Sequence, residues 1–312
     1  MHPRRALADV TAAGAGVSAV VTSGSEYDAA PWRTQTRTSP EALIVTRSAG
    51  EQEIRELLAT HPTIRWVQLP SAGVDRWIDI IRSHRHLEWA SAKGAYARPV
   101  AEFALALTLA ALRRLHEFSR QTSWSRQRGS TLYGKEVAVL GAGAIGREYI
   151  RLIQPFETRI SAIRRSSEPI AGAYRTTGIQ DLSRILPSTR VLLLAASSTS
   201  ATRGVIGAGM LDLLPDDAII VNVARGDLID HDALARRLRD GSLGAAALDT
   251  TEPEPLPPGH ELWREPRCLI TPHTANAASI SASILDFRIE ENLRRWSAGL
   301  SLVGRVDADA GY

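Results

Sequence analysis

The chain contains one cysteine, Cys268, among its 312 residues. A single thiol cannot close an internal disulfide or build a cysteine-based metal site, so the sequence predicts no bound metal. Cys268 lies within a short apolar run, which favours a small core residue over a nucleophile.

Long apolar runs are also lacking. No stretch reaches the roughly 20 residues that a helix needs to cross a bilayer. The first residues carry no strongly apolar segment, so we expect no secretory signal. The sequence therefore predicts a cytoplasmic protein without a membrane anchor.

An excess of charge of one sign is missing as well. Lysine and arginine number 37 against 34 aspartate and glutamate, which gives a formal net charge of +3. That balance, with no long basic run, argues against a nucleic-acid partner. Apolar residues make up 44% of the chain and charged residues 23%, as in a globular protein. The length suggests about two domains.

The sequence does contain a repeated alternation of short apolar runs with helix-length segments. Such an alternation predicts an α/β protein with doubly wound, mainly parallel sheets. The expected strands are 17–21, 42–46, 64–69, 136–140, 159–163, 191–195, 217–223, 245–249 and 268–271. Residues 23–40 are polar and indicate an exposed connection. Long helices are expected at 102–120 and 276–299, the latter with core contacts at Ile284, Phe287, Ile289, Leu293 and Trp296.

The densest pattern follows the expected strand 136–140. Gly141, Gly143 and Gly146 have the G-x-G-x-x-G spacing, and apolar residues at helical intervals follow them. Strand, glycine turn and helix is the context of a dinucleotide-binding fingerprint, in which the backbone at Ala144 and Ile145 also faces the pyrophosphate. Tight turns of other α/β proteins use similar glycines, so this pattern alone leaves both interpretations open.

The end of the next strand predicts which dinucleotide binds. NAD enzymes usually place an acid there for the ribose hydroxyls. This chain has Arg164, Arg165 and Ser166 instead, with no acid between Glu157 and Glu168. Two guanidiniums and a hydroxyl suit a 2′-phosphate, so we expect a preference for NADPH, with NADH possible as a second donor. The alternative is that both arginines only face solvent.

Three polar clusters follow later strands. They are centred on Arg225, on the acidic loop 249–255 and on His273. An arginine can bind a carboxylate with a planar pair of donors, and a histidine can transfer a proton near neutral pH. Taken singly, each cluster could equally be structural or solvent-exposed.

Together the clusters carry a family resemblance. Leu211–Arg225 with Gly226-Asp-Leu-Ile-Asp230, then 247–256, then Leu269-Ile-Thr-Pro-His273, occur in order, and Asp249 lies 24 positions after Arg225 (249 − 225). This combination resembles the D-isomer-specific 2-hydroxyacid dehydrogenase family, which includes glyoxylate and hydroxypyruvate reductases. The similarity extends from about Pro40 to the C-terminus.

The resemblance implies a set of catalytic roles. Arg225 would bind the substrate carboxylate and polarise the keto oxygen. His273 would give a proton to that oxygen as hydride arrives. Glu254 matches the family's acid position beside the imidazole and would favour the protonated ring; Glu252 is the competing glutamate.

The resemblance also implies binding residues. Backbone N–H groups of Ala72 and Gly73 would hold the carboxylate of a small 2-keto or 2-hydroxy acid. Asp249 matches a position that faces the nicotinamide. The remaining expected cofactor contacts are Ser197, Thr202, Val223 and Ala224. A proline common in the family is absent from Ala196-Ser-Ser198, which changes a cofactor loop.

The expected architecture has two Rossmann-like domains. Residues 102–272 would form the dinucleotide domain, while 1–101 and 273–312 would form a discontinuous, flavodoxin-like substrate domain with the active site in the cleft. A homodimer joined through about 102–130 is what the family suggests. Alternatives are a dehydrogenase acting on another small anion, such as formate or phosphite, and a dinucleotide-sensing regulator with little turnover.

Overall fold

The computed structural model describes residues 17, 19–22, 39–166 and 168–312. Its strands are β1 (Ala19–Val21), β2 (Ala42–Ile44), β3 (Trp66–Gln68), β4 (Glu88–Ala90), β5 (Glu136–Leu140), β6 (Arg159–Ile163), β7 (Arg175–Thr177), β8 (Val191–Leu194), β9 (Ile219–Asn222), β10 (Ala245–Leu248) and β11 (Cys268–Ile270). Most of the predicted polar connection, residues 23–38, lies outside the described residues.

The helices connect these strands. They are α1 (Glu51–Thr60), α2 (Ile78–Ser83), α3 (Ala97–Leu112), α4 (Leu115–Phe118), α5 (Ala144–Ile153), α6 (Leu182–Ile185), α7 (Ala208–Leu211), α8 (His231–Arg239) and α9 (Ala278–Ser297). None of the helices in the described ranges has the length and apolar character needed to cross a bilayer.

The chain divides into two compact units. Unit 1 takes the described residues up to Tyr96 together with Ala278–Tyr312, and unit 2 is Ala97–Ala277. The boundaries therefore fall at 96/97 and 277/278, where the sequence predicts 101/102 and 272/273. The assignment of substrate binding to unit 1 and of cofactor binding to unit 2 stays a prediction.

Unit 1 is built on a parallel sheet in the order β1-β2-β3-β4. Its strands are short runs of buried residues, and side chains from α1 and α2 cover one face, among them Ile54 and Ile80. Parallel strands need covering on both faces, which explains their continuous apolar character. Trp66 packs against Trp296 of α9, with ring centroids 6.1 Å apart.

Helix α9 packs within unit 1 through most of the predicted positions, with one exception. Ile289 and Leu293 are buried as predicted, but Phe287 is 64% exposed, so that prediction is wrong. The buried face follows positions 281, 285, 288–289 and 292–293, spaced by three or four residues, and Phe287 falls on the opposite side.

Unit 2 contains a parallel sheet in the order β11-β10-β9-β8-β5-β6-β7. The chain starts in the middle at β5, runs outward through β6 and β7, then returns to β8 on the other side of β5. Ligands of such sheets bind outside the carboxyl ends of the strands, where the direction of winding reverses. The reversal here lies between β5 and β8. The two parallel sheets confirm the predicted α/β, Rossmann-like fold class.

The apolar helix before the fingerprint is shorter than predicted. It begins at Ala97 and ends at Leu112, and Arg114 then adopts a left-handed backbone with φ of 54°. The expectation of one helix to residue 120 is therefore wrong, because this conformation ends the hydrogen-bonded spiral. Within unit 2, α3 packs on α5, and the buried Thr108 Oγ1 lies 2.8 Å from the Tyr149 hydroxyl.

Candidate active site

The glycine fingerprint forms the turn between β5 and α5. Gly141 has φ of 96°, and a Cβ there would lie 2.3 Å from the backbone nitrogen of Ala196. A Cβ on Gly146 would lie 2.4 Å from the Gly141 carbonyl oxygen. Both positions therefore require glycine, the first for its backbone conformation and the close approach of the loop after β8, the second for helix–strand packing.

Gly143 has a different role. A Cβ built there meets no heavy atom of the described chain within 4 Å, so the space in front of the turn is open. Gly143 is the N-cap of α5, and no side chain of the described residues caps this end. The first helical N–H groups, from Ala144 and Ile145 onward, are therefore left for an external acceptor. An uncapped helix N-terminus beside open space fits a pyrophosphate.

Arg164 follows β6 directly beside this turn. Ile163 is paired in register with Leu140, and its carbonyl accepts the backbone N–H of Gly141 at 2.9 Å. Arg164 Nη1 is buried and has no hydrogen-bond partner among the described residues. A buried donor without a partner is costly, and an anionic oxygen would satisfy it. Arg165 is exposed, and Ser166 Oγ accepts the Glu168 N–H at 3.3 Å.

The loop after β8 is held by hydroxyl groups where the family often has proline. Thr202 donates to the Ser197 carbonyl at 2.7 Å, and Ser198 donates to Asp227 Oδ2 at 2.6 Å. The Ser198–Asp227 bond ties this loop to the segment that carries Arg225. No local pattern predicts this bond, because its partners are 29 residues apart.

The Arg225 segment is fixed by its own backbone. Asn222 at the end of β9 donates through Nδ2 to the Arg225 carbonyl at 2.8 Å and accepts the Ala224 N–H at 3.0 Å. Val223 and Ala224 are buried, whereas Arg225 is partly exposed. A Cβ on Gly226 would lie 1.9 Å from the Thr251 carbonyl carbon. Gly226 therefore lets the Arg225 segment lie directly against the acidic loop.

His273 and Glu254 form a hydrogen-bonded pair. His273 Nδ1 lies 2.6 Å from Glu254 Oε1, and both side chains are nearly half exposed, at 47% and 41%. Of the two glutamates considered from the sequence, Glu254 is the one that meets the imidazole. The pair belongs to the segments after β10 and β11, and these neighbouring parallel strands end at the same edge of the sheet as β9, which precedes Arg225.

Asp249 organises the turn that carries His273. Its side chain is buried and accepts three hydrogen bonds, from Thr271 Oγ1 at 2.6 Å and from the backbone N–H groups of Thr274 and Ala275 at 2.9 Å each. The His273 N–H donates to the Asp249 carbonyl at 2.8 Å. His273 has φ of 48°, a left-handed conformation that these bonds hold in place.

Ala72 and Gly73 lie in unit 1, in the turn after β3. Ser71 Oγ donates to the Gly73 carbonyl at 2.6 Å, and the Tyr96 hydroxyl donates to the Pro70 carbonyl at 2.9 Å. The turn is partly exposed at the carboxyl end of the unit 1 sheet. Its predicted contact with substrate stays a prediction.

Comparison with known proteins identifies the family. The model of the "D-isomer specific 2-hydroxyacid dehydrogenase, NAD binding domain" matches residues 105–275, more than half of the chain. The chain belongs to the D-isomer specific 2-hydroxyacid dehydrogenase family. The predicted family is therefore confirmed, and the match covers the fingerprint, the Arg225 segment and His273.

Individual proteins are also similar over most of the chain. An uncharacterized protein in the proB 3′ region of Corynebacterium melassecola is 35% identical over 256 residues, covering 80% of this chain and 84% of that protein. Glyoxylate/hydroxypyruvate reductase A of Salmonella paratyphi B is 32% identical over 214 residues, 68% of each chain. A D-isomer specific 2-hydroxyacid dehydrogenase structure from Xanthobacter autotrophicus Py2, in complex with NADPH and MES, has a TM-score of 0.76 at 26% identity, covering 91% of this chain and 89% of that one.

As a member of this dehydrogenase family, the chain is an oxidoreductase. It uses a nicotinamide dinucleotide and acts on small 2-hydroxy or 2-keto acids. The uncapped N-terminus of α5, the glycine turn and Arg164 fit such a dinucleotide.

Proposed function

We propose that the chain reduces a small 2-keto acid, of the glyoxylate or hydroxypyruvate type, to the D-2-hydroxy acid with NADPH as the preferred donor. The observation that carries the proposal is the His273–Glu254 pair, 2.6 Å apart, at the same sheet edge as Arg225. The substrate type is supported by the similarity to the Salmonella glyoxylate/hydroxypyruvate reductase.

Arg225, His273 and Glu254 have separate roles in the proposed reaction. Bound NADPH supplies a hydride to the keto carbon. Arg225 binds the substrate carboxylate and draws electron density toward the keto oxygen, because its guanidinium is always positively charged. His273 gives the balancing proton to that oxygen. Its Nδ1 is engaged by Glu254, so Nε2 is the nitrogen that serves the substrate, and the carboxylate orients the ring.

The cofactor contacts in this proposal come from the segments after β5, β6, β8, β9 and β10. The glycine turn with Ala144 and Ile145 holds the pyrophosphate, and Arg164 with Arg165 and Ser166 holds the 2′-phosphate. The other contacts are Ser197, Thr202, Val223, Ala224 and Asp249. The buried Asp249 carboxylate already accepts three protein donors, so we assign it chiefly to holding the His273 turn.

The catalytic roles are tested by oxidation of NADPH against a panel of small 2-keto acids. His273→Ala should abolish most of kcat, and Arg225→Ala should lower kcat/KM severely, because it removes both binding and transition-state contacts. Glu254→Gln and Glu252→Gln make a matched pair on one loop. Only the change at Glu254 should lower kcat, because only Glu254 holds the imidazole.

Wild-type kinetics in His273→Ala would disprove the proton-donor role. Tight NADPH binding without turnover of any acid in the panel would contradict the reductase proposal and favour a dinucleotide-sensing regulator. Turnover of formate or phosphite in preference to keto acids would replace the substrate class while keeping the fold.

The cofactor preference is tested separately. We expect kcat/KM to be higher with NADPH than with NADH, as the NADPH complex of the Xanthobacter relative also suggests. Arg164→Ala should lower kcat/KM for NADPH by about tenfold to a hundredfold, the range of a lost charge-assisted hydrogen bond, and leave NADH nearly unchanged. Arg151→Ala, which removes an exposed arginine of α5, is the control. Equal or better kinetics with NADH in the wild type would overturn the preference.

We also propose a homodimer formed through residues 102–130. The segment after α4 supports it, because residues 121–129 are exposed and Trp124 is fully exposed. Large aromatic side chains that are this exposed are typical of association surfaces. Sedimentation equilibrium measures the state directly, and a monomer at micromolar concentration would contradict it.

A further inference from the structure

The loop after β8 is attached to one residue of unit 2 at both of its ends. Ser198 Oγ donates to Asp227 Oδ2 at 2.6 Å, and the Gly204 N–H donates to the Asp227 carbonyl at 2.7 Å. Arg203 Nη2 also lies 3.4 Å from Asp227 Oδ2. Asp227 therefore fixes the loop 198–204 at its beginning and at its end.

Hydrogen bonds inside the loop hold the chain between these two attachments. The Thr202 hydroxyl donates to the Ser197 carbonyl at 2.7 Å and accepts the Thr199 N–H at 2.9 Å. Ser197 and Thr202 are two of the proposed cofactor contacts. The loop thus keeps its shape through its own hydroxyl groups, while its place in unit 2 depends on Asp227.

The Asp227 carboxylate depends in turn on Ser198. The Asp227 side chain is 16% exposed, and its Oδ1 is buried without a hydrogen-bond partner among the described residues. A carboxylate taken out of water needs close donors. Arg203 is 72% exposed, and an ion pair at 3.4 Å with such an exposed partner contributes little. The Ser198 hydroxyl is therefore the stronger of the two side-chain contacts.

The same loop begins against the glycine turn, on one side of β5. A Cβ on Gly141 would lie 2.3 Å from the Ala196 nitrogen, and β8 pairs with β5. Arg164 follows β6, on the other side of β5. A dinucleotide lies across the point where the winding reverses, with one nucleotide on each side. Because Arg164 is assigned to the 2′-phosphate of the adenosine half, the loop lies on the side of the nicotinamide half.

We propose that Ser198 and Asp227 are positioning residues that fix this loop for the nicotinamide half of the dinucleotide. The inference rests on the proposed cofactor site. A loop that is already held in its bound position loses little conformational freedom when the ligand arrives, so the Ser198–Asp227 bond raises the affinity for the whole dinucleotide. The adenosine half alone gains nothing from it.

Two other roles for Ser198 make different predictions. If its bond to Asp227 only stabilised the fold, its loss would lower the melting temperature and leave the affinity of the folded protein for NADPH unchanged. If Ser198 touched the dinucleotide itself, the effects of changing Ser198 and Asp227 would add, because each would remove a separate interaction.

The test measures dissociation constants by calorimetry for NADPH and for 2′,5′-ADP, which carries the adenosine half and the 2′-phosphate but no nicotinamide. Ser198→Ala should weaken NADPH binding about tenfold and leave 2′,5′-ADP within about twofold. Asp227→Ala should have a similar effect, and the double variant should lose no more than Asp227→Ala alone. Ser200→Ala, which removes an exposed hydroxyl of the same loop, should bind both ligands as the wild type does.

Three results would overturn the role of the Ser198–Asp227 bond: unchanged NADPH affinity in Ser198→Ala, an equal loss for both ligands, or additive effects in the double variant. Tighter binding of NADH than of NADPH by the wild type would instead overturn the proposed cofactor preference alone. NADH and ADP then take the places of NADPH and 2′,5′-ADP in the same comparison. The expected binding pattern without turnover of any keto acid would overturn only the reductase proposal.

Discussion

At the scale of single residues, a buried carboxylate fixes the position of the candidate proton donor. A non-glycine residue in the left-handed region costs on the order of 1–3 kcal/mol, and His273 with φ of 48° is such a residue. Asp249 offsets that cost with three accepted hydrogen bonds on the turn and one more at its carbonyl. The geometry of the His273–Glu254 pair therefore depends on a third residue that needs no contact with substrate.

Asp249→Asn tests this dependence. The amide has the same size but turns one acceptor into a donor that faces other donors, so at least one buried bond is lost, at about 1–3 kcal/mol. We expect a lower melting temperature and a kcat reduced about tenfold or more, with a much smaller change in the dissociation constant for NADPH. Asp240→Asn, at the exposed end of α8, should leave both unchanged. An unaltered kcat in Asp249→Asn would show that the turn of His273 keeps its conformation without the Asp249 carboxylate.

Single residues were predictable where local pattern determines their environment. Gly141 and Gly146 could be identified from spacing, and His273 and Glu254 from their order along the chain. The contact between Ser198 and Asp227 could not, because the two residues are 29 positions apart and meet only when the loop after β8 packs beside the Arg225 segment. Contacts of that kind depend on tertiary structure, about which the residues near Ser198 carry no pattern.

At the scale of elements, two loops at one edge of the unit 2 sheet touch through backbone alone. The segment of Arg225 and the acidic loop that carries Glu254 meet at Gly226, where a Cβ would lie 1.9 Å from the Thr251 carbonyl carbon and 2.4 Å from the Glu252 nitrogen. Backbone atoms cannot move aside as a flexible side chain can. The short distance between the two loops therefore depends on residue 226 being a glycine.

Gly226→Ala should push these loops apart. We expect kcat/KM for keto acids to fall at least about tenfold, since small displacements of catalytic groups have effects of that size. Gly209→Ala is the matched control, because a Cβ at this position of α7 meets nothing within 4 Å. Removal of a helical glycine should leave activity intact and raise stability by about 0.4–1 kcal/mol. Steady-state kinetics and urea unfolding of both variants decide the question, and equal behaviour would contradict the role of Gly226.

The long buried strands of unit 2 were predictable from their apolar runs, as β5, β6 and β8 show. The short strands β4 and β7 were not, because Glu88–Ala90 begins with a charged residue, Arg175–Thr177 has no apolar residue, and both lie at sheet edges. The end of α3 was also missed. The residues after Leu112 have ordinary helix propensity, and only the left-handed Arg114 ends the helix.

At the scale of the whole molecule, buried histidines make stability depend on pH. His231 at the start of α8 is 7% exposed, and its Nε2 has no hydrogen-bond partner within the described ranges. Burial lowers the pKa of His231 below the ordinary value for histidine, and the neighbouring His260 lowers it further. Burial lowers the pKa of His116 as well.

The direction of this pH dependence follows from the number of protons that the folded and unfolded chains bind. Below pH of about 6.5 the unfolded chain binds protons that the folded histidines do not, so the free energy of unfolding falls as the pH falls. We expect urea unfolding to show full stability at pH 8 and a progressive loss as the pH falls below about 6.5. His231→Gln should flatten this dependence, and His86→Gln, at an exposed histidine, should not. An unchanged slope in His231→Gln would exclude His231 as a source.

The discontinuity of unit 1 has a consequence for how the protein is made. Unit 2 is one uninterrupted stretch, Ala97–Ala277, whereas unit 1 needs α9 from the end of the chain. A ribosome therefore finishes every residue of the unit with the dinucleotide fingerprint before it adds Ala278. During translation the strands β1 to β4 lack the contacts of α9 until that helix is synthesised. One of these contacts is the hydrogen bond from Asn292 Nδ2 to Gln68 Oε1, at 2.7 Å. The nascent chain can thus fold unit 2 while unit 1, which carries the turn 71–73, still lacks its last helix.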